Sequence, residues 1–176
     1  MSMENGRRAV VKWVVYALLA LIVFILQEYL FSELKIFGVS PILLGSLSVC
    51  VGMFEGAGAG AVYGALCGAA MYARPGSSEL MYALVFAAGG AAAGILCENF
   101  MTKGLPSALL LSLITNGLAT LIFFVFIMWI PGRAGASALI EVGIIEILYS
   151  TAGALLCRPA VWFINHAARN SVEDEN

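Results

Sequence analysis

Val10-Val-Lys-Trp-Val-Val-Tyr-Ala-Leu-Leu-Ala-Leu-Ile-Val-Phe-Ile-Leu-Gln-Glu-Tyr-Leu-Phe31 decides the fold class. Apolar side chains follow one another without alternation, broken only by Lys12 near the start and Gln27-Glu28 near the end. A helix crossing the hydrocarbon core needs about 20 such residues. A strand of a transmembrane barrel would alternate apolar and polar positions instead, so a closed barrel is excluded. Arg7 and Arg8 precede the run. It is too long for the core of a signal peptide, and no small-residue cleavage site comes before Gln27-Glu28. It is read as an uncleaved first span.

Further runs cover Pro41 to Phe54, Ala57 to Ala73, Leu80 to Cys97, Leu105 to Ile130 and Ala138 to Cys157. The chain is 61% hydrophobic and 11% charged, where an ordinary globular domain is roughly 25% charged. Its mean hydropathy is +0.95. The expectation is an all-α integral membrane protein, a compact bundle of about six transmembrane helices. Residues 10–157 would form the membrane domain, residues 1–9 a cytoplasmic tail, and residues 158–176 a cytoplasmic interfacial segment with an acidic end. No room remains for a soluble domain. No basic cluster or aromatic stacking motif points to nucleic acid. Cys50, Cys67, Cys97 and Cys157 lie in or at the ends of apolar runs, without a CxxC pair, and read as small buried hydrophobes. With His166 the only histidine, no metal or other cofactor is expected.

Positive charge marks the cytoplasmic side of a membrane protein. With the N-terminus inside, Arg7, Arg8, Lys12, Lys103, Arg158 and Arg169 fall inside, and Lys35, Arg74 and Arg133 outside. Both termini are therefore placed in the cytoplasm. Trp13, Trp129 and Trp162 fall near span ends, where amphipathic rings settle. The stretch from Val39 to Ala73 holds one charge, Glu55, and would reach roughly 50 Å as one helix, too long for a single crossing. The chain must turn near Glu55, within Gly56-Ala-Gly-Ala-Gly60. That turn leaves the second span short, tilted or partly buried by protein. The turn signals Arg74-Pro-Gly-Ser-Ser and Pro131-Gly-Arg-Ala-Gly135 make the outer connections short. Beyond Arg158-Pro159, Ala160 to Ala168 reads either as an interfacial helix or as the frayed end of the last span, with a disordered Ser171 to Asn176 after it.

Gly56, Gly60, Gly64 and Gly68 recur every four residues along one helical stripe, and Gly89, Gly90 and Gly94 form a looser set in the fourth span. Small residues let backbones approach closely in a membrane. The third and fourth spans are expected to be the tightest pair, and the third span has small surface to spare for another membrane protein. Polar residues at depth are functional candidates. Glu146 is placed near the middle of the last span and Asn116, beside Thr115, near the middle of the fifth, within reach of each other. Glu146 is read either as a register-fixing, hydrogen-bonded acid or as a binding residue. Glu55 and Glu98 read as solvated span ends. The carboxylates are scattered, with no nucleophile, base and orienting group together, so no enzyme is expected.

Gln27 near the end of the first span is followed by Ile36-Phe-Gly38-Val-Ser-Pro41-Ile-Leu-Leu44 and then by Gly52, Gly56, Gly60, Gly64 and Gly68. This pattern resembles the rod shape-determining protein MreD family. Its members carry a glutamine in the first span, a Gly-x-x-Pro lead into the second, and a glycine ladder through the third. The likeness covers roughly the first half of the chain. An acidic residue that the family often has one turn after the last ladder glycine is replaced here by Tyr72. The resemblance implies a noncatalytic scaffold of the bacterial cell-elongation machinery in the inner membrane. Its expected partner is MreC, with MreB filaments and the peptidoglycan synthases as more distant associates. The family is similar in fold to the S components of energy-coupling-factor vitamin transporters. A substrate-binding S component is therefore the alternative function. It wants a polar outward pocket and a small-xxx-small face on the first span, where only Ala17 and Ala20 are small.

Overall fold

The computed structural model describes residues 2–30, 41–71, 79–129 and 143–173. Helix α1 (Ser2–Ile25) ends in a widened π-helical turn (Leu26–Leu30). There follow α2 (Leu43–Glu55), α3 (Ala57–Ala70), α4 (Glu79–Asn99), α5 (Leu105–Phe123) with a π-helical extension (Phe124–Trp129), and α6 (Ile144–Glu173). No strand occurs among the described residues.

Four stretches have the length and composition of a membrane crossing: Val10–Tyr29, Met81–Asn99, Leu105–Phe126 and Ile144–His166. Helices α2 and α3 do not. At about 1.5 Å per residue they reach only ~20 Å, against a hydrocarbon core of ~30 Å. The reason is local. Gly56 adopts φ 94°, a left-handed conformation that glycine alone takes without penalty, and it reverses the chain within a single residue. Its N–H donates to Gly52 O and its carbonyl accepts from Gly60 N–H, both at 2.9 Å, so the hydrogen-bond ladders of the two helices both reach Gly56. Gly58 and Gly60 already belong to α3.

Helix α2 is the hub. From Leu43 to Met53 every residue is buried, and α2 packs against each of the other five helices. Its sequence explains this: it holds no charge until Glu55 and no polar side chain before that but Ser46 and Ser48, and such a helix belongs in an interior. Leu44, Leu47, Val49, Val51 and Met53 form the centre of the core with Tyr16, Phe86 and Val161. Helix α1 is the opposite case. Val10, Val14, Leu18, Leu21, Ile22 and Ile25 are exposed, as suits a lipid-facing helix.

Helix α1 begins at Ser2, so residues 2–9 are helical ahead of the span Val10–Tyr29. The last helix runs unbroken through Pro159 to Glu173; the span Ile144–His166 carries on past Arg158, one of the two readings of that segment, and Ser171 to Glu173 are helical where disorder was expected. Pro159 lies on an exposed face of the helix and removes only its own N–H from the ladder. The connections through residues 31–40, 72–78 and 130–142 lie outside the described residues, and with them Lys35, Gly38, Tyr72, Arg74, Arg133 and Glu141.

Candidate functional site

Three arrangements of side chains and backbone carry the specificity of this bundle. The first is a glycine junction. Gly52 on α2, Gly60 on α3 and Gly90 on α4 meet backbone to backbone: a side chain on Gly52 or Gly60 would strike the Gly90 carbonyl, and one on Gly90 would strike the Gly60 carbonyl. Along the same seam Gly64 abuts the Phe86 carbonyl, Gly68 abuts Ala83, and Gly94 abuts Ala57. Helices α3 and α4 are the most extensively packed pair in the described residues. Close approach of this kind replaces the hydrophobic drive that lipid removes, and aligns Cα–H groups with carbonyls. Gly60, Gly64 and Gly68 are all buried, so the ladder face is consumed inside the molecule. Of the small residues on α3, Gly58 meets nothing within 4 Å and Ala69 is exposed, so some small surface remains outside this seam.

The second arrangement sits where α2 begins. The N-terminal turn of a helix leaves backbone N–H groups without intrahelical partners, and here that turn is buried in the protein. Gln27, 0% exposed, reaches from the π-helical turn of α1 and accepts hydrogen bonds from Leu43 N–H (2.8 Å) and Leu44 N–H (3.4 Å). Its amide nitrogen donates to Met71 Sδ at 3.3 Å. From the other side Ser150 Oγ on α6 accepts from Ile42 N–H at 2.8 Å. Pro41, also buried, leads the chain into this turn. Ser46 then extends the network: its hydroxyl donates to Ser150 O (2.9 Å) and accepts from Asn116 Nδ2 (3.0 Å). Four helices are thus tied at one polar knot. Gly45 makes room for it, since a side chain there would strike Asn116 Oδ1.

The knot answers several expectations. Gln27 caps the turn into which Pro41 leads the chain. Asn116 directs its amide nitrogen to Ser46 rather than to Glu146. Glu146 lies near the start of the described part of α6 and is half-buried.

The third arrangement lies at the other end of α2. Glu55 Oε1 accepts from Tyr16 Oη (2.8 Å) and Asn165 Nδ2 (2.6 Å) and pairs with Lys12 Nζ (2.7 Å). Tyr63 Oη donates to the Tyr16 carbonyl at 2.8 Å. Lys103 Nζ donates to Phe54 O at 3.3 Å, and Arg158 donates to the Lys103 carbonyl at 2.8 Å. Cations at a helix C-terminus offset the partial negative charge there. Glu55 is therefore a clamp holding α1 and α6 onto α2, not merely a solvated end. Glu98, by contrast, is exposed. The pairing of Tyr16, Lys12 and Asn165 with Glu55 was not anticipated from sequence. A lysine and a tyrosine within one apolar run were the available signal.

Two apolar grooves open on the sides of the bundle. One, of about 550 Å³, lies between α1 and α3; the other, of about 380 Å³, lies between α4 and α5 against Gly89 and Thr115. The four cysteines are buried and unpaired, and no cluster of metal-ligating side chains occurs among the described residues.

These features define a helical membrane protein in which the polar groups of the knot and the clamp tie helices together, while Ser112 Oγ, Asn116 Oδ1 and Arg158 Nε are buried without a hydrogen-bond partner. No family model matches the chain, and no curated protein or solved structure matches it.

Proposed function

We propose that the chain is a noncatalytic scaffold of the bacterial cell-elongation machinery, resident in the inner membrane with both termini in the cytoplasm. In this reading it binds MreC directly and the MreB filaments and peptidoglycan synthases through that contact. The observation that carries the reading is the knot at the start of α2. The glutamine of the first span and the proline leading into the second, two of the motif positions behind the MreD resemblance, join in one structural task. The glycine ladder performs a second, packing α3 onto α4. Both tasks build a rigid frame, and neither prepares a reaction. The buried hydroxyls and amides of the knot bond mainly to helix backbones, which suits a body whose outer helix faces do the binding.

The experiment is recovery of the tagged full-length chain from native membranes in mild detergent. MreC is expected in stoichiometric amount, with loss of rod shape when the chain is depleted. Recovery of an ATPase pair with a bound vitamin, and unchanged cell shape, would replace the scaffold by the S-component alternative.

A further inference from the structure

We draw no further inference here: the strongest candidate, the buried side-chain pair Ser112 Oγ and Asn116 Oδ1 one turn apart on α5, lines neither groove of the bundle and sits, at Asn116, against Gly45, so nothing in the structure shows space for a ligand between them.

Discussion

Replacing Gln27 by leucine keeps the approximate size of the side chain and removes the acceptor that closes the first turn of α2. Gln27 is completely buried and receives Leu43 N–H at 2.8 Å and Leu44 N–H at 3.4 Å. The shorter bond carries most of the effect, because hydrogen bonds weaken towards the longer distance. A buried N–H left without a partner costs about 1–3 kcal/mol. Polar contacts between membrane helices average nearer ~0.6 kcal/mol, because the unfolded chain in the membrane finds substitutes. A helix start enclosed on all sides has fewer substitutes than most, so a loss of roughly 2 kcal/mol is expected for Gln27→Leu. At about 2–4 °C per kcal/mol for a chain of this size, the melting temperature should fall by ~4–8 °C. The four buried cysteines supply the assay: a thiol-reactive dye added to detergent-solubilised protein during heating reports when the core opens. Tyr29→Leu, two residues away and exposed, is the control and should stay within about 0.5 kcal/mol. Coincident melting of Gln27→Leu and the parent protein would refute the capping role and the account of the motif built on it.

Ser150→Ala removes the acceptor for Ile42 N–H and should cost about 1–2 kcal/mol. Combined with Gln27→Leu it should fall short of the sum, because both caps serve one turn; a thermal double-mutant cycle reads the coupling. Gly90→Leu is expected to abolish recovery of folded protein, since its side chain has only the Gly60 backbone to displace, and size-exclusion chromatography decides it. Gly117→Ala meets open space inside α5 and should instead stabilise by about 0.5–1 kcal/mol in the same melt. Tyr16→Phe should cost about 1–2 kcal/mol and Glu55→Ala roughly 2–4 kcal/mol, with proteolysis appearing first in α1, which loses its anchor at that end.

The outline of this bundle was written in residue types whose spacing has meaning. Glycines four apart must share a helical face, so the α3–α4 seam could be read from Gly56 to Gly68 and from Gly90 to Gly94. A single charge in a long apolar run places a turn, and Gly56 is that turn. The burial of α2 followed from the shortness that the turn imposes. What stayed hidden were contacts between residues that no periodicity relates. Glu55 meets Tyr16 across a separation of 39 residues and Asn165 across 110. Serines such as Ser46 and Ser150 recur in membrane helices without distinction, and only the fold reveals that these two face each other. Asn116 had more than one polar residue within imaginable reach, and the choice of Ser46 over Glu146 depends on how α2 is centred. After Arg158-Pro159 the sequence allowed either an interfacial helix or an extension of the last span, because an exposed proline need not end a helix, and α6 runs on through it.

The hydrogen bond from Ile42 to Ser150 joins residues 108 apart in the chain. A ribosome adding about 5–20 residues per second makes Ser150 roughly 5 to 20 s after Ile42. Throughout that interval the nascent chain holds a short helix whose Ile42 N–H lacks its final acceptor. Biogenesis is therefore gated by the last helix to be synthesised. A nonsense mutation anywhere before α6 should leave an earlier segment incompletely folded and open to membrane proteases, although every residue of that segment has been made correctly.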